Sequence, residues 1–159
     1  MSRYEDCDEN LVEVFLDVLE ERFPNFSYLN FRLIYDTKKR VRKGNLCLAS
    51  IELASPKIKF FTQDEKAIDG YDYVIIVDKK AWELASEADK KRLISHELRH
   101  VFIDEKGGLK IVDHEINDFY AEIKLNADDP EWGRNLCRLT AAIYDQEKDA
   151  AKDKKDFGG

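Results

Sequence analysis

The sequence contains no run of apolar residues close to the roughly 20 that a helix needs to cross a bilayer. Its first ten residues, MSRYEDCDEN, are acidic and polar and lack the apolar core of a secretory signal. Both absences argue against a membrane-spanning or secreted protein. We therefore expect a cytoplasmic protein that makes no membrane contact.

Cysteine is also scarce. The three cysteines, Cys7, Cys47 and Cys137, are odd in number and widely spaced, and no two of them form a C-x-x-C motif. This pattern excludes a disulfide framework and gives no support to a zinc site built on thiolates. We expect reduced thiols that are mostly buried. The sequence also lacks a Gly-rich phosphate loop and a G-x-S-x-G motif, so nucleotide binding and serine-nucleophile hydrolysis have little support.

The sequence also has no excess of basic residues. The formal net charge of -7 argues against general affinity for nucleic acid, because such affinity depends on clustered Lys and Arg. One local exception is KKRVRK, residues 38–43, which ends at Gly44-Asn45 between two stretches with strand character. It predicts a basic hairpin turn. This turn is either a solvated loop or a contact for nucleic acid or another acidic partner.

The length of 159 residues and the hydrophobic fraction of 43% are typical of one globular domain with a substantial core. Apolar residues at steps of three and four from Asp8 to Phe23 predict a helix that Pro24 closes. Alternating apolar and polar residues in three segments, and a compact apolar run in a fourth, then predict strands of one sheet. These segments are NFRLIYD (30–36), LCLASIELAS (46–55), KIKFFT (57–62) and YDYVIIVD (71–78), the last an interior strand.

The rest of the chain has helical patterns. A short helix is predicted over 79–85, and Ser86 with Asp89 gives a capping signal for a longer one from about 87 to 104. Gly107-Gly108 should end this helix, LKIV (109–112) suits a short extended piece, and Asp113 suits the start of another helix. The last helix begins near 128–130, and its predicted buried face is Trp132, Leu136, Leu139, Ala142 and Ile143.

The order of helix, strands and then helices predicts an α+β fold with the sheet on one side of the 87–104 helix. We expect a single domain over residues 1–145. The charged segment 146–159 should be a flexible, solvated tail.

The strongest chemical signal is ISHELRHVF, in which His96, Glu97 and His100 form an H-E-x-x-H motif. Residues four apart share a helix face, so the two imidazoles can bind one metal ion. Glu97 is offset by one residue and can take a proton from the attacking water and deliver it to the leaving amine. The apolar residues Ile94, Leu98, Val101 and Phe102 should form a separate core-facing flank, whereas Arg99 should serve a surface or salt-bridge role.

Catalytic zinc usually takes three protein ligands. The remaining histidine of the chain, His114, lies beyond the Gly-Gly turn and is a candidate third ligand. Glu115 or Asp118 could replace it, and a more distant carboxylate, Glu122, is formally possible. Asp118 could alternatively orient a ligand imidazole or be a surface carboxylate.

The segments RLISHELRHVF and LKIVDHEINDFYAEI together resemble the phage metallopeptidase family, a zincin-like group. The resemblance is sharpest from Arg92 to Ile123. It implies a zincin-like fold with a small, mostly antiparallel sheet packed against the motif helix. It also implies Zn²⁺ bound by His96, His100 and His114, with Glu97 as general acid and base. Glu115 stands where Asp is commoner in the family.

A more distant likeness is to the SprT-like peptidases, which act near DNA, but the acidic balance here does not support carrying that property over. We therefore expect a zinc-dependent peptidase acting on a peptide or protein substrate. The substrate should lie along a sheet edge, with KIKFFT and YDYVIIVD as candidate edge strands. Two alternatives are a non-catalytic zinc-binding interaction protein and a nucleic-acid-associated factor that uses the 38–43 loop.

Overall fold

A four-stranded mixed sheet organises the fold. The computed structural model describes residues 2–42, 44–65, 67–113, 122 and 125–158. The strands in this part of the chain are β1 (Tyr4–Asp6), β2 (Phe31–Asp36), β3 (Val41–Arg42), β4 (Asn45–Leu46), β5 (Ala49–Leu53), β6 (Tyr73–Asp78), β7 (Val101–Ile103) and β8 (Leu109–Ile111). The helices are α1 (Glu9–Arg22), α2 (Pro56–Phe61), α3 (Lys79–Leu84), α4 (Glu87–Leu98) and α5 (Trp132–Gly158).

The sheet has the strand order β1-β2-β6-β5. β2 and β6 are parallel, whereas the outer pairs β1-β2 and β5-β6 are antiparallel. The remaining strands form two small antiparallel hairpins, β3-β4 and β7-β8. The α+β class and the mostly antiparallel sheet are therefore confirmed, and the fold is consistent with a zincin-like domain.

The core lies between one face of the sheet and the helices. Alternate residues of β2 and β6 point to this side because side chains alternate across a strand. α1 packs against α4, and both contribute their apolar stripes to the same cluster. The main buried residues are Leu11, Val14, Phe15 and Val18 of α1, Leu33 and Tyr35 of β2, Tyr73, Ile75 and Val77 of β6, and Leu93, Ile94 and Leu98 of α4.

Several predicted elements are confirmed. α1 begins after Asp8, whose side chain accepts a hydrogen bond from the Leu11 amide at 3.0 Å. β6 is an interior strand, as predicted, and the predicted short helix is present as α3. The basic run includes β3, and Gly44 lies in the tight turn to β4, so the predicted hairpin is also present.

The prediction of a strand at KIKFFT is wrong, since this segment is α2. Ser55-Pro56, which lies at the junction of two predicted strands, is instead the start of the helix. Ser55 caps it by accepting from the Ile58 amide at 3.2 Å, and Pro56 occupies the first turn. Neither segment predicted as the edge strand for the substrate is an edge strand, because KIKFFT is helical and β6 is interior. The edges of the sheet are β1, which was not predicted, and β5.

The motif helix is shorter than predicted. α4 ends at Leu98, and Val101–Ile103 pairs with Leu109–Ile111 instead of continuing the helix. β-branched and aromatic residues favour this extended conformation. Phe102 is consequently 46% exposed on the outer side of β7, which contradicts its expected place in the core flank, whereas Ile94, Leu98 and Val101 are buried.

The last helix differs from its prediction in its buried face. Trp132 and Leu136 are buried, but Leu139 and Ala142 are exposed and the buried stripe continues through Thr140. This stripe follows steps of four residues along α5. The helix extends to Gly158 and so includes most of the predicted tail.

The cysteines are unpaired, as predicted, and each is half-buried rather than fully buried. Burial raises the pKa of all three thiols. None of the helices in the described part of the chain is both long and apolar enough to cross a membrane.

Gly70 provides a test of the packing beside α2. It has φ +82°, and a Cβ built on it would overlap the backbone carbonyl of Lys59. Gly107 has a similar φ of +83° but no atom within 4 Å of such a Cβ. Gly107→Ala should cost about 1 kcal/mol from backbone strain alone. Gly70→Ala should cost about 1–3 kcal/mol more, measured by urea unfolding, because Lys59 must also move. Equal losses would contradict this packing.

Candidate metal centre

The motif helix α4 presents three different faces. Its N-terminus is capped by Ser86, whose side chain accepts a hydrogen bond from the Asp89 amide at 3.1 Å. Ile94 and Leu98 are completely buried in the core. A second face contacts residues that follow the β7-β8 hairpin in the sequence. A third face carries the H-E-x-x-H motif. The helix therefore cannot rotate without exposing its apolar residues.

The third face brings His96, Glu97 and His100 together. One possible ligand atom from each of these side chains lies within 4.8 Å of the others. The two imidazole rings have their centroids 5.5 Å apart at an interplanar angle of 71°. His100 follows the end of α4, and its amide donates to the Glu97 carbonyl at 3.1 Å, so the tight last turn keeps it near the helix. The expected convergence of the motif side chains is thus present.

The β7-β8 hairpin fixes His100. The Val112 amide donates to the His100 carbonyl at 2.8 Å, and Nδ1 of His100 lies 2.6 Å from the Val112 carbonyl oxygen. Because a carbonyl oxygen only accepts, Nδ1 must carry the proton in this contact. Neutral His100 then has its lone pair on Nε2, the arrangement in which an imidazole binds a metal.

Glu97 is a buried carboxylate with only 5% of its surface exposed. Burial raises the pKa of Glu97, while the neighbouring imidazoles of His96 and His100 and the charges of Arg40 and Arg42 oppose this rise. The two arginines belong to the basic run at the β3-β4 hairpin. The sequence contains this run but carries no signal that the fold brings it close to the motif.

These three side chains fit a divalent metal ion. The two imidazoles are nitrogen donors of the kind that zinc prefers, and the Glu97 carboxylate lies beside them. A hydrogen bond from the ring to a backbone carbonyl, as His100 makes to Val112, is also usual for zinc-binding histidines. The predicted third ligand His114, its possible substitute Glu115 and the predicted positioning residue Asp118 lie outside the described residues.

Glu122 belongs to a different cluster. It is completely buried, and its Oε1 accepts from Ser95 Oγ at 2.7 Å and from Arg99 Nε at 2.8 Å. It is absent from the ligand group of the described residues, so its possible role as third ligand receives no support. Arg99 forms the predicted salt bridge and also lies over the Phe23 ring, 4.7 Å from its centroid.

The Glu122 contacts join α4 to the later part of the chain. Ser95 and Arg99 flank His96 and His100 in sequence, so the same turn of helix carries both the motif and this cluster. Arg92, one turn earlier, adds ion pairs to Asp128 at 2.8 Å and Asp129 at 3.5 Å. The sequence reveals the charges but not their pairing, which depends on tertiary contacts.

Removing the Glu122 carboxylate should destabilise the protein. Glu122→Ala leaves the guanidinium of Arg99 without its buried partner and should lower the free energy of unfolding by about 3 kcal/mol. Glu87→Ala is the matched control, because it removes an exposed carboxylate paired with Lys90 at 3.4 Å and should cause no measurable loss. Urea unfolding of both variants measures the difference. Similar stabilities would refute a structural role for Glu122.

Comparison with known proteins agrees with this geometry. The family model described as "Putative phage metallopeptidase" matches residues 4–145, which include all the strands, α1 to α4 and the first half of α5. No curated protein and no solved structure matches the chain significantly. A metallopeptidase family implies a bound metal ion, in keeping with the ligand atoms of His96, Glu97 and His100. The chain belongs to the phage metallopeptidase family.

Proposed function

We propose that this protein is a zinc-dependent peptidase. The observation that carries the proposal is the convergence of His96, Glu97 and His100, whose possible ligand atoms lie within 4.8 Å of one another. Zinc, when bound, supplies a Lewis acid that polarises a peptide carbonyl and makes water more acidic. His96 and His100 would hold it, and we propose His114 as the third ligand from the family resemblance.

Glu97 would act as the general base and then the general acid. Its carboxylate is buried beside both histidines, and burial raises its pKa towards the range in which a carboxyl group both accepts and returns a proton. Oε1 or Oε2 would take a proton from the attacking water and deliver it to the nitrogen of the leaving amine. The Val112 carbonyl would keep the His100 ring in place during this transfer.

An extended peptide would lie along β5. This strand is an edge of the four-stranded sheet and contacts α4, whereas the opposite edge, β1, pairs with β2 away from the motif helix. In the described part of the chain β5 forms a ladder only with β6, and β8 lies beside it without forming a ladder with it. A substrate backbone could therefore add to this edge through main-chain hydrogen bonds, next to the motif.

Metal content tests the site directly. The purified wild type should contain about one zinc per chain, and His96→Ala and His100→Ala should lose most of it because each removes a ligand. His114→Ala should do the same. Inductively coupled plasma mass spectrometry measures the zinc, and chelation should lower the melting temperature of the wild type but not of the depleted variants. Absence of zinc from the wild type would refute the zinc site, and unchanged zinc in His114→Ala would remove that residue from it.

Glu97→Gln separates catalysis from metal binding. The amide keeps the size of the side chain but cannot accept the proton, so hydrolysis of a quenched fluorescent peptide library should fall by about 10²–10⁴-fold. Zinc content should stay near the wild-type value, which serves as the control for folding. A wild type that holds zinc but cleaves no member of the library would instead favour a non-catalytic zinc-binding interaction protein.

A further inference from the structure

The β3-β4 hairpin is attached firmly to the body of the domain. Its backbone pairs Val41 with Leu46, and the Cys47 amide extends the ladder by donating to the Arg40 carbonyl at 2.8 Å. Leu46 packs against the core, and its carbonyl accepts a long hydrogen bond from the Cys137 thiol at 3.7 Å. The hairpin is therefore a fixed part of the surface and not a detached loop.

The base of the hairpin is held by buried Asp36 at the end of β2. Its carboxylate accepts from the Lys38 amide at 3.0 Å and lies 4.0 Å from Nε of Arg40. That Nε is buried and has no hydrogen-bond partner among the described residues. The Arg40 side chain is 25% exposed, so its guanidinium combines a fixed position with partial access to solvent.

The chain leads directly from this hairpin into β5, the strand that contacts the motif helix. Leu48 is buried, its carbonyl accepts from the Asp78 amide at 2.8 Å, and β5 then begins at Ala49 and contacts α4. The hairpin consequently lies at the start of the sheet edge that we assign to the substrate. In agreement, the charges of Arg40 and Arg42 both act on the carboxylate of Glu97 and on the thiol of Cys47.

Arg42 differs from Arg40 in being exposed and in having no ion pair or hydrogen bond to its side chain within the described ranges. It follows exposed Val41, whose side chain is 55% accessible. In a chain with a net charge of -7, an accessible arginine on the hairpin that leads into the strand contacting the motif helix creates a local attraction for anions. A guanidinium suits carboxylates in particular, because its planar N–H groups can form two parallel hydrogen bonds with them.

From these contacts we infer that Arg42, supported by Arg40, selects peptide substrates that carry a carboxylate close to the bond to be cleaved. The inference rests on the proposed peptidase function and assigns its substrate class. The carboxylate has two possible sources, an internal Asp or Glu side chain or the C-terminus of the peptide. Nucleic acid is a different class of ligand, and the overall negative charge disfavours it.

Binding to zinc-loaded Glu97→Gln protein tests the inference without cleavage. The probes are three fluorescent pools of ten-residue peptides of otherwise random neutral sequence. The first pool has a fixed internal Glu and an amidated C-terminus. The second has Gln in place of this Glu and is also amidated. The third has the same Gln and a free C-terminal carboxylate. The Glu pool or the free-carboxylate pool should bind about five- to tenfold more tightly than the amidated Gln pool. The pool that gains affinity identifies the source of the carboxylate.

The preference should depend on Arg42. Combining Arg42→Gln with Glu97→Gln should reduce the difference in affinity between the pools to less than about twofold. Lys39→Gln is the matched control, since it removes one exposed positive charge from the same basic run and should leave the preference unchanged. Circular dichroism checks the fold, and because Arg42 is exposed the variant should keep it. Arg40→Gln is a second variant that should weaken the preference partially.

Several results would overturn the inference. These are equal affinity for all three pools, equal losses in Arg42→Gln and Lys39→Gln, and tighter Arg42-dependent binding of a single-stranded oligonucleotide than of any peptide pool. Failure of the proposed function gives a different result. If the carboxylate preference depends on Arg42 but the zinc-loaded wild type cleaves none of the pools, the recognition of carboxylates is supported and the proposed peptidase function is refuted.

Discussion

Burial of the Glu97 carboxylate is the constraint on which the centre depends. Removing a carboxylate from water is costly, and this cost is reduced only where positive or hydrogen-bonding groups surround it. Here the groups that oppose the rise in pKa come from two separate parts of the chain, the motif imidazoles and the arginines of the β3-β4 hairpin. The hairpin arginines therefore reduce the cost of burying this carboxylate. This effect links a feature of the surface to the chemistry of the motif.

The motif helix is held from several directions. Ile94 and Leu98 anchor it in the core, and the Glu122 carboxylate binds it through Ser95 and Arg99. The β7-β8 hairpin then positions His100 through Val112. Each contact restricts a different motion of α4, so the fold itself contributes to the relative positions of the motif side chains. Such preorganisation favours both metal affinity and proton transfer.

Membership of the phage metallopeptidase family and the geometry of the motif support the same chemistry from independent observations. The family assignment concerns most of the chain, whereas the geometry concerns a few atoms. The hairpin arginines add a feature that the H-E-x-x-H motif does not contain. In the proposed function a metal centre and a general base would supply the chemistry, and the neighbouring hairpin surface would supply the selectivity.

Local signals in the sequence determined the elements with strong periodicity or clear caps, such as α1 after Asp8 and the interior strand β6. They also determined the motif, because H-E-x-x-H depends on spacing along one helix. These local signals gave wrong predictions where one pattern is compatible with two structures. Ser55-Pro56 ended a predicted strand but caps a helix, and Val101–Ile103 continued a predicted helix but pairs as a strand. In the second case the partner strand lies beyond a turn, and pairing outweighs the local helical pattern.

Only the tertiary structure decided which charges meet. Arg99 could be predicted to form a salt bridge, but its partner Glu122 is 23 residues away, and nothing local identifies it. Arg40 and Arg42 appeared in the sequence as a basic run without a target, and the fold placed their charges near Glu97. The physical reason is that electrostatic interactions depend on distance in space and on burial, and neither is encoded by spacing along the chain. The sequence thus determined the chemistry of the motif, and the fold determined its surroundings.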